Sequence, residues 1–207
     1  MTDTTNSETQ PIESLDPEAR ARALQSLLLE KGLVSQDAID EVIAAYEEDI
    51  GPLNGAEVVA KAWTDESYRD RLLEDGTAAV AELGYDGLSA EHLEVVENTP
   101  TDHNVVVCTL CSCYPWGLLG LPPTWYKSKA YRSRTVREPR AVLREFGTDL
   151  EDSIDVHVWD SNSELRYMVL PQQPPETEGL EESALVDVVT RNSMIGVERL
   201  TTGGGDQ

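Results

Sequence analysis

Apolar residues recur at helical spacing through the first third of the chain. Ala23, Leu24, Leu27, Leu28 and Leu29 follow Pro17 and predict an amphipathic helix that ends near Gly32. Ser35 is placed to cap a second helix carrying Ile39, Val42, Ile43 and Tyr46 at spacings of three and four. Gly51-Pro52 breaks the pattern. Helices are predicted again over residues 56–63, with Val58, Val59 and Ala62 on one face, and over residues 66–83. The period changes after Gly84, where residues 93–97 and 104–107 read as short strands. Leu121-Pro122-Pro123 is expected to open a helix through Trp125 and Tyr126, because proline fits a first turn, and residues 139–146 predict another. Residues 154–160 and 165–170 flank Asp160-Ser161-Asn162-Ser163 and predict a strand–turn–strand hairpin closed by Pro171. Residues 181–190 read as helix and 194–197 as a last strand.

This pattern divides the chain. Residues 1–16 and 201–207 are expected to be disordered tails, and 17–50 a helical arm that buries its apolar face on a partner or on its own domain. Residues 51–200 form the mixed α and β remainder, and 207 residues suffice for one catalytic unit. No apolar run is as long as the roughly 18 residues of a membrane span, and Met1-Thr2-Asp3-Thr4 lacks the features of a secretory signal, so a cytoplasmic protein is expected.

Charge narrows the partners. The formal net charge of −23, from 16 basic and 39 acidic residues, argues against nucleic acid and against an anionic membrane. One basic block, Lys127, Lys129, Arg132, Arg134, Arg137, Arg140 and Arg144, stands inside this acidic chain and suits either internal pairing or a subunit contact.

All three cysteines lie within Cys108-Thr109-Leu110-Cys111-Ser112-Cys113, which is local chemistry and not a disulfide framework. A structural zinc site needs a fourth ligand, for which His103 is the nearest candidate, with His92 and His157 farther off. A dithiol redox motif is a second reading, although the third thiol argues against it. A third reading follows from Cys111 and Cys113 flanking a single residue. That spacing lets the backbone amides of Ser112 and Cys113 turn inward with both sulfurs. If both amides ligate, the sulfurs of Cys111 and Cys113 and the two nitrogens close fused chelate rings in a square plane. Cys108 then supplies an axial sulfur and leaves a sixth position open for catalysis. Such donors favour trivalent cobalt or iron over zinc.

The stretch Val107-Cys108-Thr109-Leu110-Cys111-Ser112-Cys113-Tyr114-Pro115-Trp116, followed by Leu119-Gly120-Leu121-Pro122-Pro123-Thr124-Trp125-Tyr126-Lys127, resembles nitrile hydratase alpha subunits. The likeness extends from about Ala23 through Arg144 and Arg166-Tyr167-Met168-Val169-Leu170-Pro171 to Gly196. It implies an α+β fold, a four-layer α-β-β-α catalytic domain with an N-terminal helical arm. It also implies a partner beta subunit in an αβ or α2β2 assembly, a metal-insertion activator protein, and a hydro-lyase that hydrates small-molecule nitriles to amides. Thr109 and Tyr114 match the cobalt type, so the resemblance implies one low-spin Co(III) ion per chain in preference to iron. Its ligands are Cys108, Cys111, Ser112 and Cys113. Cys111 is then sulfinic and Cys113 sulfenic, with Cys108 left as thiolate. Oxygen on sulfur weakens donation to the metal and gives Cys113 a nucleophilic oxygen.

On this resemblance Cys113, Cys111 and Ser112 are catalytic, Trp116 lines the substrate pocket, and arginines of the partner contact the modified cysteines. Two positions depart from it: Ser89 stands where many relatives have glutamine, and Gly117 where proline is usual. The metal-bearing subunit of thiocyanate hydrolase shares the cysteine loop and is the nearest competing activity. A non-catalytic metal-delivery protein is the more distant one.

Overall fold

The computed structural model describes residues 17–44, 52–85 and 92–200. The tail expectations for 1–16 and 201–207, the break at Gly51, Tyr46 and the departure at Ser89 lie outside these residues. The chain divides into two compact units, 1–45 and 46–207.

The first unit holds α1 (Pro17–Glu30) and α2 (Gln36–Ala44). α1 closes through the Leu33 amide on the Leu28 carbonyl at 3.0 Å, with Gly32 at φ 64°, a left-handed turn that glycine enters at little cost. Ser35 caps α2 by accepting from the Ala38 amide at 3.1 Å, as its position predicts. Leu24 and Leu27 of α1 are exposed.

The second unit begins with α3 (Pro52–Thr64), α4 (Glu66–Glu74) and α5 (Gly76–Glu82). The predicted helix over 66–83 is therefore two helices. Asp75 is extended at φ −146°, ends α4, and caps α5 by accepting from the Ala78 amide. The break lets Gly76 press on β1, where an added Cβ would stand 2.7 Å from the Leu93 carbonyl oxygen.

Four strands follow in two parallel pairs: β1 (His92–Glu97) with β4 (Leu165–Leu170), and β2 (Asp102–Val107) with β3 (Asp155–Asp160). The predicted hairpin of β3 with β4 does not form. Ser161 extends the β3 pairing by donating its amide to the Val107 carbonyl, and its buried hydroxyl accepts from the Tyr167 amide. Asn162 Oδ1 accepts from the Glu164 and Leu165 amides, an Asx-type turn that passes the chain from one sheet to the other. α4, α5 and α10 (Arg191–Ile195) pack on the β1–β4 sheet. α7 (Lys129–Arg137) and α8 (Pro139–Glu145) pack on the β2–β3 sheet. Val105, Val107, Met168 and Leu170 belong to the buried core.

Three further expectations are corrected. Residues 121–126 turn without forming a helix: Tyr126 and Ser128 close on Pro123 and Trp125, and Ser128 then caps α7. The helix read over 181–190 shortens to α9 (Glu182–Val186), because Thr190 starts a new cap. Residues 194–197 form no strand: Thr190 and Ser193 make a capping box for α10, which Gly196 ends at φ 87°. Met194, Ile195 and Val197 are fully buried there, and a short apolar run fits helix and strand alike. Among the described residues no helix is long and apolar enough to cross a membrane.

Candidate metal centre

β2 delivers the first cysteine. Val105, Val106 and Val107 are buried in succession, and Cys108 follows them with no exposed surface. At Thr109 the chain leaves the sheet and is tied at once to the end of β3. Its amide donates to Asp160 Oδ1 at 2.8 Å and its hydroxyl to Oδ2 at 2.6 Å. The loop then rises to Leu110, 83% exposed, and falls back through Ser112 and Cys113 to the buried Tyr114. Trp116 opens the short helix α6 (Trp116–Leu119).

An aromatic wall backs this loop. Tyr114, Tyr126, Tyr131, Trp125 and Phe146 make edge and tilted contacts with centroids 4.6 to 6.2 Å apart. Three of these rings also hold backbone: Tyr126 Oη donates to the Cys113 carbonyl at 2.9 Å, Tyr131 Oη to the Val106 carbonyl at 2.7 Å, and Tyr114 Oη to the Leu119 carbonyl at 3.3 Å. Arg132 of α7 donates from Nη1 to the Cys111 carbonyl at 2.8 Å.

The three sulfurs converge. Cys108 Sγ lies 3.5 Å from Cys111 Sγ, which lies 3.1 Å from Cys113 Sγ, and all three fall within 4.8 Å of one another without a disulfide. The Cys111 amide donates to Cys108 Sγ at 3.3 Å. The Cys113 thiol beside it, with lesser help from the neighbouring Ser112 and Cys113 backbone, brings the Cys111 thiol down to about 7. Burial, and then its role as donor, pushes the Cys113 thiol up to about 12, against the pull of Arg166.

The histidines are elsewhere. His103 sits at the opposite end of β2, where Nε2 donates to the Gly196 carbonyl at 2.8 Å and Nδ1 faces Asn98 Nδ2. His92 bonds Thr77 and His157 bonds Asp102. Among the described residues the cluster able to hold a metal is the three cysteines alone, so zinc with His103 as fourth ligand is ruled out by position. Three free thiols gathered at one point suit an ion that prefers soft sulfur donors.

Comparison with known proteins identifies the family of the chain. Residues 15–198 match the family model for the nitrile hydratase alpha chain. The chain belongs to the nitrile hydratase alpha-chain family. It is 55% identical over 181 residues to the cobalt-containing nitrile hydratase subunit alpha of Pseudonocardia thermophila, covering 87% of this chain and 89% of that one. The thiocyanate hydrolase subunit gamma of Thiobacillus thioparus is 42% identical over 193 residues, covering 88% and 79%. In three dimensions, a double mutant of the Fe-type nitrile hydratase of Comamonas testosteroni Ni1 superposes with a TM-score of 0.84 at 43% identity, covering 93% of this chain and 96% of that one.

Part of the basic block is bonded within the chain. Arg134 pairs with Glu138 and Glu145, Arg140 donates to the carbonyls of Leu150, Glu151 and Ile154, and Arg132 reaches the metal loop. The contacts of Tyr126, Arg132 and Asp160 to the loop have no signature in the sequence, because each depends on a fold contact across 13 to 51 positions. Gly117 is buried, and its carbonyl accepts from Asn54 Nδ2 at 3.2 Å, which ties it to α3.

Proposed function

We propose that this chain is the alpha subunit of a cobalt nitrile hydratase, whose ion is held by the sulfurs of Cys108, Cys111 and Cys113 and the backbone nitrogens of Ser112 and Cys113. The observation that carries the reading is the convergence of three free sulfurs within 4.8 Å at the end of a buried strand. The cobalt-containing relative supports the choice of metal.

Bound cobalt supplies a Lewis-acid position that polarises the nitrile. The chain's own groups do the rest. Exposure falls from Cys111 through Cys113 to the fully buried Cys108, which suits a sulfinic Cys111, a sulfenic Cys113 and an unmodified Cys108. The Cys113 sulfenate oxygen, or a water whose proton it takes, adds to the nitrile carbon as a C≡N π pair moves to nitrogen. Nitrogen takes a proton. If the sulfenate oxygen itself has added, water at sulfur restores it and releases the imidic acid, which tautomerises to the amide. Trp116, 36% exposed beside the loop, offers an indole face to the substrate.

Exposed apolar side chains at Leu110, Trp116 and Leu121 around the loop, and at Leu24 and Leu27 on α1, suit burial by a beta subunit in an αβ or α2β2 assembly. The division into a helical arm over 17–50 and a catalytic domain over 51–200 belongs to this proposal. So do the four-layer order, with helices outside the two sheets, metal insertion by an activator protein, and a cytoplasmic location. The chain co-expressed with its beta partner is tested on acetonitrile, benzonitrile and thiocyanate. Amide formation from the nitriles is expected, and turnover of thiocyanate with none of either nitrile would reassign the chain to thiocyanate hydrolysis.

A further inference from the structure

Several hydrogen bonds anchor the cysteine loop, and one of them differs in kind. Tyr126 holds the oxygen of the Cys113–Tyr114 peptide, whose nitrogen is outside the proposed ligand set. Thr109 is tied to Asp160 before the first ligand nitrogen is reached. Arg132 donates at 2.8 Å to Cys111 O, the oxygen of the peptide whose nitrogen belongs to Ser112. A peptide nitrogen that serves as an anionic ligand shares its negative charge with the oxygen of its own carbonyl. For Ser112 that oxygen is the one Arg132 touches.

The arginine is delivered from a fixed base. α7 is capped by Ser128, which accepts from the Tyr131 amide at 3.1 Å, and Tyr131, the residue before Arg132, is buried and bonded to the Val106 carbonyl of β2. Arg132 Nε is itself buried without an acceptor, so the bond to Cys111 O is where this guanidinium recovers part of its lost hydration. A charged donor on a peptide oxygen is stronger than a neutral one, and stronger again where that oxygen carries charge.

We infer that Arg132 is a positioning residue of the metal centre, which holds the Cys111 carbonyl and stabilises the negative charge that the Cys111–Ser112 peptide carries when Ser112 nitrogen is a ligand. The inference rests on the ligand set proposed above. It assigns part of the electrostatic support of the centre to the alpha chain itself, in addition to the partner arginines that the family resemblance implies.

The test compares wild type, Arg132→Lys and Arg132→Gln, each co-expressed and purified with the beta subunit. The readouts are cobalt per alpha chain, the rate of cobalt loss to a chelator, and the position of the visible sulfur-to-cobalt absorption band. Arg132→Gln keeps a donor and removes the charge. It is expected to lose cobalt about 10–100-fold faster, the usual effect of removing a residue that supports a metal ligand. Its absorption band is expected to shift, and Arg132→Lys should fall between it and wild type. Arg132→Gln with wild-type retention and an unshifted band would overturn the inference. If Arg132→Gln does not assemble, an unshifted band and wild-type retention in both Arg132→Lys and Arg132→Met would do the same. Zinc or no metal in the wild-type complex would instead overturn the ligand set, and the inference with it.

Discussion

Thr109 and Asp160 are bonded twice across 51 positions, amide to Oδ1 at 2.8 Å and hydroxyl to Oδ2 at 2.6 Å. The pair joins the first residue after Cys108 to the last residue of β3, Val107 being in register with Asp160. The cysteine loop therefore leaves both strands of its sheet at one point.

Asp160→Ala should loosen that exit. Cobalt retention in the assembled enzyme is expected to fall about 10-fold or more, as for other groups that orient metal ligands. The melting temperature should change little, because both partners are exposed and water can replace these hydrogen bonds when they are lost. Metal analysis beside a thermal melt separates the two effects.

Tyr126→Phe keeps the ring contacts with Tyr114 and Tyr131 and removes the donor to the Cys113 carbonyl. An acceptor left without its partner in a partly buried site costs about 1–3 kcal/mol. The denaturant midpoint should fall accordingly, with an unchanged slope.

Gly196→Ala tests the packing of α10 on β2. An added Cβ would stand 2.0 Å from the Asn104 carbonyl oxygen, and Gly196 is held at φ 87°. Backbone faces backbone there, so relief requires the helix to move. A loss of about 3 kcal/mol or more is expected in equilibrium unfolding.

Acid should destabilise the protein through His103. Burial lowers its pKa from 6.5; Arg199 and Arg140 push the same way, and the Gly196 carbonyl opposes them. The unfolded chain then binds a proton that the folded chain refuses. The stability that a neutral His103 contributes is complete above about 6.5 and is lost as pH falls from there toward the lowered folded value. Urea midpoints of wild type should drop between neutral pH and pH about 5.5, and His103→Gln should flatten that part of the profile.

Local chemistry was legible in the sequence where it depended on neighbours in the chain. The Ser35 cap, the strands at 93–97 and 104–107, the helix from Pro139 and the convergence of Cys108, Cys111 and Cys113 all follow from residues a few positions apart. Contacts between distant segments were not legible. β3 and β4 look like a hairpin because both alternate around a turn, yet each finds a parallel partner more than 50 positions away, and the side chains of Ser161 and Asn162 redirect the chain. Trp125 and Tyr126 follow prolines that could open a helix, but their rings serve the aromatic wall behind the loop. The supports of the metal loop, Tyr126, Arg132 and Asp160, are ordinary residues until the fold brings them to it.

The most direct test is mass analysis of the peptide containing residues 108–113, with cobalt quantitation, on the active complex with the beta subunit. One cobalt per alpha chain is predicted, with two oxygens on Cys111, one on Cys113 and none on Cys108. An active enzyme whose three cysteines carry no oxygen, or whose metal is zinc, would contradict the account.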